Sequence, residues 1–260
     1  MSSCSAFFLC IFAPTYLTNI SYTFCPIMSD LLKDEKKFTV LFFGMLVIDI
    51  LVKLYFPAFP YRYISKPPLL LLLFLYYYLN NKEKDNKKQS CTKLALVSFF
   101  IGDILLINFN NFIFLGASLL FFSCGKVFFC LRFTHKSDFE ISRLIPYSLV
   151  MFVYTLSIVS FLYDSLGNFF VPALITFFIT LMLFQFAFLR KDVVNKLSYN
   201  YVFIGILFFI ISESMVAIEV FKTDIPLQDP LIMLFYGLAL YLITIGIVKE
   251  RRRKIVLNPF

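Results

Sequence analysis

Residues 201–220 read Tyr-Val-Phe-Ile-Gly-Ile-Leu-Phe-Phe-Ile-Ile-Ser-Glu-Ser-Met-Val-Ala-Ile-Glu-Val. The run does not alternate polar with apolar residues, so it is no strand of a membrane barrel. It has the length of about 20 residues that a membrane-spanning helix needs. Similar runs recur along the chain. We read eight spans, at about 39–57, 64–80, 92–107, 111–131, 144–163, 169–189, 200–220 and 230–248. The second is the least regular, entering through Lys66-Pro67-Pro68, and the third is short. Proline is tolerated at a helix start, where the first N–H groups lack partners anyway.

The composition agrees. Of 260 residues, 60% are hydrophobic and 15% charged, with a mean hydropathy of +0.83. A soluble domain of this size could not hide 36 phenylalanines and the accompanying leucines. A soluble enzyme, a disordered chain and a collagen-like repeat are excluded. The expected fold class is all-α, a polytopic membrane helical bundle. It would comprise an N-terminal arm at 1–38, an eight-helix domain at 39–248 and a basic tail at 249–260.

The net charge of +8 reflects topology rather than nucleic acid. Nineteen Lys and Arg residues fall in the segments before the first span, between spans two and three, four and five, six and seven, and after the eighth. Three fall on the other side: Arg62, Lys66 and Lys222. That asymmetry places both termini in the cytoplasm. Residues 1–27 carry an apolar run, Ala6 to Ala13, without the preceding basic residue of a signal peptide. They read either as an upstream stretch before a start near Met28 or as an interfacial arm. With no Trp present, Tyr61, Tyr63, Tyr76, Tyr77 and Tyr78 are the candidates for an interfacial belt. The six cysteines show no metal spacing, the single His135 reads as solvated in a basic loop, and no metal or cofactor is expected.

Ionisable groups inside spans are costly and mark interior sites. Asp49 and Lys53, four residues apart, read as a pair on one helix face. Lys126 can snorkel to the interface, and Glu219 lies close enough to an end to meet water. Ser98, Ser212 and Ser214 can bond to their own helix backbone. Asp103 and Glu213 have no basic residue one turn away. From their helix ends and a rise of about 1.5 Å per residue, Asp103 and Lys53 lie about 6 Å deep, Tyr236 about 9 Å and Glu213 about 10 Å. Four helices thus place polar groups in one layer of the non-cytoplasmic half of the bilayer.

The segments around the two acids carry a resemblance. Residues 95–103, Ala-Leu-Val-Ser-Phe-Phe-Ile-Gly-Asp, resemble the A-x-x-F/S-x-x-G-D helix of the YhhN family, the lysoplasmalogenase-like membrane proteins. Residues 205–214 resemble its G-A-x-L-F-x-x-S-D-S helix, with Glu213 in place of Asp. Lys66-Pro67 matches its K-P, and Tyr236 with Ala239 fits its Y-x-x-A-Q, Leu240 standing at the Gln. In its G-x-x-x-F-x-x-x-H-x-x-Y helix Gly116 fits, while Leu120 and Cys124 take the Phe and His positions.

The resemblance implies hydrolysis of the vinyl ether of a lysoplasmalogen or related lysophospholipid to a fatty aldehyde and a glycerophospho-base. Asp103 and Glu213 would be the catalytic carboxyls, Lys66 would hold the phosphate, and Ser98, Ser212 and Tyr236 would contact substrate or water. The membrane would be a bacterial inner membrane or, second, the endoplasmic reticulum. The rival classes are a proton-coupled carrier of a lipid or small cation and a non-catalytic lipid-binding protein. The two halves show no internal repeat of the kind carriers often have.

Overall fold

The computed structural model describes residues 31–56, 58–134, 141–222 and 227–251. The readings of residues 1–27 and of His135 fall outside them. Among the described residues the chain is helical throughout, with no strand. Eight helices have 14 residues or more: α1 Glu35–Tyr55, α2 Pro67–Asn80, α3 Asn86–Leu106, α4 Phe112–Phe133, α5 Ile141–Leu166, α6 Phe170–Leu189, α7 Lys196–Phe221 and α8 Gln228–Val248. Six stretches are long and apolar enough to cross a membrane, one of them the 42-residue run Ser148–Leu189. That run is not one rod. At Gly167, φ +46° and a single 3-10 turn break it into α5 and α6. Gln185 Nε2, near the end of α6, donates to Ser148 Oγ, near the start of α5, at 3.0 Å, so the two helices fold back on each other. At 14 residues, α2 is about 21 Å long, short of the roughly 30 Å hydrocarbon core.

Several helices begin earlier than the hydropathy predicts, because their first turns are polar. Asp34 caps α1 by accepting from Lys36 N–H at 3.0 Å, and Asp85 caps α3 by accepting from Lys87 N–H at 2.9 Å. The third helix is therefore not short. Its N-terminal turns carry Lys87 and Lys88, which a hydropathy window rejects and an N-cap does not.

Lipid tails are as apolar as leucine, so helices in a bilayer associate through close packing rather than escape from water. The α7–α8 pair shows this. A Cβ on Gly205 would lie 3.0 Å from the Ala239 carbonyl oxygen, and one on Gly246 would lie 2.7 Å from Val202 Cγ2. Ser212 Oγ donates across the pair to the Ile232 carbonyl at 3.1 Å. The α3–α4 pair is antiparallel in the same way, with Gly102 against Phe122 and Gly125 against Phe99.

The dense core sits toward the basic end. Phe38 stacks on Tyr76 with centroids 4.0 Å apart, and Phe99 meets Phe129 and Phe209 at 5.5 Å each. Tyr76 and Tyr77 are thus core residues, not members of an interfacial belt, while Tyr61, Tyr63 and Tyr78 are exposed. A charge cluster ties the helix ends below this core. Arg132 pairs with Glu83 at 3.3 Å and Glu250 at 3.2 Å, and Arg190 pairs with Glu250 at 2.8 Å and stacks on Phe133. Burial pushes the Arg190 guanidinium down to about 10, with Glu250 opposing the fall, so it stays charged at neutral pH.

Gly205→Ala should force α7 and α8 apart, because two of the three atoms nearest the new Cβ, Ala239 O at 3.0 Å and Ile243 N at 3.1 Å, are backbone and cannot swing aside. We expect a loss of about 1–3 kcal/mol, read as a lower melting temperature in detergent. Gly44→Ala, where nothing lies within 4 Å of the new Cβ, should be neutral or raise it.

Candidate active site

Asp103 lies in the last turn of α3, and the α2 entry brings Lys66 to it. Lys66 Nζ is 2.9 Å from Asp103 Oδ1, and the Tyr236 hydroxyl on α8 donates to Oδ2 at 2.9 Å. Lys66 and Asp103 are both buried. Each carboxylate oxygen therefore has its own donor, and three helices converge on one carboxyl group.

Glu213 on α7 is held from the other side of the bundle. Lys126 Nζ on α4 ion-pairs with Glu213 Oε1, and Thr180 Oγ1 on α6 lies 2.7 Å from Oε2. Lys126 also donates to Thr180 Oγ1 at 2.8 Å and to the Thr176 carbonyl at 3.3 Å. At 1% exposure, Lys126 does not snorkel. The expectation failed because a lysine five residues from a helix end turns inward when a carboxylate is waiting there. A buried ion pair removes most of the cost that snorkelling would avoid.

The two clusters line one cavity of about 100 Å³. Lys66, Asp103, Lys126, Ser212, Glu213 and Tyr236 all face it, between walls that include Phe122, Phe209 and Met233. Of the residues singled out from the sequence, Ser98 is buried but is not part of this lining. Ser212 lines it but gives its proton to α8, not to its own helix. Ser214 does bond its own helix, at Ile210 O, and meets the Tyr154 hydroxyl. Among the described residues, no three His, Cys, Asp or Glu side chains converge as metal ligands.

The remaining intramembrane charges also pair differently from the sequence reading. Asp49 and Lys53 do not neutralise each other. Asp49 is fully buried and accepts from Ser65 Oγ at 2.6 Å. Lys53 bridges Glu219, at 3.4 Å, and Asp229 on α8, so Glu219 is ion-paired rather than simply solvated.

Sequence reasoning passes over Thr176 and Thr180 and reads Lys126 as snorkelling rather than as part of the site. A signal for Lys126 was present, two residues out of register. Leu120 is 69% exposed and Cys124 is exposed, so neither reaches the interior. Phe122, Lys126 and Phe129 have the same F-x-x-x-H-x-x-Y spacing and face inward. In this register Lys126 and Phe129 stand at the spacing of the His and Tyr, while the Gly position falls on Ser118 rather than Gly116.

Lys126→Met would leave the Glu213 charge without its partner in a low-dielectric cavity. Breaking a buried pair from one side costs about 3–5 kcal/mol, and we expect a marked drop in melting temperature. Adding Glu213→Gln should recover most of it. Equal melting of the single variant and the parent would show the pair to be unimportant for stability.

No curated protein and no solved structure matches the chain. The sequence model of the YhhN family matches residues 61–247, which take in α2 through α8 except for the last residue of α8, and every residue of the cavity described above. An integral membrane helical bundle carrying that match over most of its length belongs to the YhhN family.

Proposed function

We propose that the protein is a membrane hydrolase that cleaves the vinyl ether of a lysoplasmalogen or related lysolipid. In this reading α1 to α8 cross the membrane as eight spans, α2 being lengthened by the helical turn Tyr63–Ser65 that leads into it, with both termini cytoplasmic, in a bacterial inner membrane. The observation that carries the proposal is the single cavity on which Asp103 and Glu213, 110 positions apart in sequence, both open. Membership of a family whose resemblance implies this activity supports it.

The chemistry suits two carboxyls with different jobs. Protonation of the vinyl carbon remote from oxygen gives an oxocarbenium ion. Water adds to the carbon bearing oxygen and passes a proton to the carboxylate left by the first step. The hemiacetal then collapses to a fatty aldehyde and the glycerol hydroxyl, its own hydroxyl proton going to the departing oxygen. One carboxyl must deliver a proton and the other must face the cation, a division of labour comparable to that of glycosidases.

Hydrogen-bond accounting separates the roles. Tyr236 has one hydroxyl hydrogen and directs it at Asp103, so Asp103 accepts from Tyr236 and Lys66 and serves as the standing anion. Thr180 also has one hydrogen but two acceptors within reach, Glu213 Oε2 at 2.7 Å and the Thr176 carbonyl at 2.9 Å. When Thr180 donates to Thr176, a proton on Glu213 completes the remaining contact. Glu213 is therefore the group whose protonated form is accommodated, and the proton that the added water gives up restores it.

Asp103→Asn and Glu213→Gln should each abolish aldehyde release per mole of folded protein, taken as the monodisperse fraction from size exclusion because each variant leaves a buried lysine unpaired. The assay is mass spectrometry of lysoplasmalogen incubated with each variant. Turnover at the parental rate by either variant would refute the assignment.

A further inference from the structure

Resting on that reading, we propose that Arg62 is the anchor for the substrate's phosphate, a role that Lys66 is too committed to fill. The Lys66 ammonium is taken up by Asp103, and Lys126 by Glu213, so both cavity lysines are already neutralised. Arg62 is different. Its side chain is 8% exposed, yet among the described residues it forms no ion pair. Its Nη2 donates to the thioether of Met233 at 3.5 Å, and its buried Nε has no partner. A guanidinium offers five donors in a planar fork suited to phosphate, and a thioether is a weak acceptor. Leaving such a group buried and unmet is costly unless something else meets it in the working state.

Its position fits a lipid phosphate. Arg62 O accepts from Lys66 N–H at 3.2 Å, so Arg62 lies one helical turn, about 6 Å, before the residue that grips Asp103. From the vinyl ether oxygen to the phosphorus of a glycerophospholipid there are five single bonds of about 1.5 Å, a zig-zag of roughly 6 Å. A substrate with its ether at Asp103 thus brings its phosphate level with Arg62. Met233, the present contact of the guanidinium, itself lines the cavity. Its unbranched side chain can swing aside to admit a phosphate oxygen.

The competing role for Arg62 is charge balance. Lys53 bridges both Glu219 and Asp229, leaving one acid in surplus, and Arg62 lies within electrostatic reach of Asp229. The test separates the two roles and does not depend on turnover. Equilibrium binding to the full chain in detergent is measured for a saturated alkyl-ether lysophosphatidylcholine and for the matching 1-alkylglycerol, neither of which has a vinyl ether. Arg62→Met should weaken binding of the phospholipid roughly 10- to 100-fold, the size of a lost charge-assisted contact, and leave the alkylglycerol unchanged. Arg62→Lys should fall between.

Equal weakening for both ligands, or no weakening for the phospholipid, would overturn the proposal. So would recovery of phospholipid binding by adding Asp229→Asn, which assigns Arg62 to charge balance alone. Inorganic phosphate that competes as well as the lipid would make this a free-anion site and overturn it too. Absence of aldehyde release by the parent protein would remove the hydrolase reading while leaving this binding result standing.

Discussion

Charges inside a bilayer must be neutralised by protein, and that requirement organises this molecule. Among the described residues, Lys126 with Glu213 and Lys66 with Asp103 are the two pairs in which an ammonium and a carboxylate from different helical segments meet at the cavity. Each pair spans a gap that apolar packing does not close. The α3–α4 and α7–α8 pairs are internally tight, with glycines at their contacts. Across the cavity the connections are polar: α4 to α7 through Lys126, α6 to α7 through Thr180, and α3 to α8 through Tyr236. The bundle is therefore packed at its basic end and held apart, by charged struts, where the cavity lies.

This division explains how two buried carboxyl groups on one cavity can coexist with stability. A single buried carboxyl would favour collapse of the site or loss of its charge. Two carboxyls, each compensated by its own lysine, keep the cavity neutral overall and leave proton positions adjustable within each cluster. The two clusters differ in the right respect. Asp103 is fixed by donors that have no competing acceptor among the described residues, whereas Glu213 shares its hydroxyl partner with a backbone carbonyl.

Much of the helical architecture was legible because spanning helices write themselves as continuous apolar runs. Helix starts were less so. Polar first turns such as Asn86 to Lys88 belong to a helix but look like loop to a hydropathy scale. Pairing was the least legible. Asp49 and Lys53 are neighbours in sequence at helical spacing, yet they have different partners, Ser65 for one and Glu219 and Asp229 for the other. Spacing supplies an opportunity for contact, and the direction of the buried face decides whether it is used. Asp103 and Glu213 stand out because carboxyl groups without local partners are rare in such runs, and Tyr236 because it lies at the same depth and fits the last-helix Y-x-x-A pattern. Lys126 did not, because a lysine near a helix end has an easy route to water that only the fold reveals it does not take. The family pattern could have identified it in the register that places Phe122, Lys126 and Phe129 inward.

In the proposed reaction the cavity delivers a proton to carbon. Turnover of lysoplasmalogen in D2O, with the released aldehyde analysed by mass spectrometry, tests it most directly. The account predicts an aldehyde carrying one deuterium on the carbon next to the carbonyl. An aldehyde formed without that deuterium, or no aldehyde at all, would contradict it.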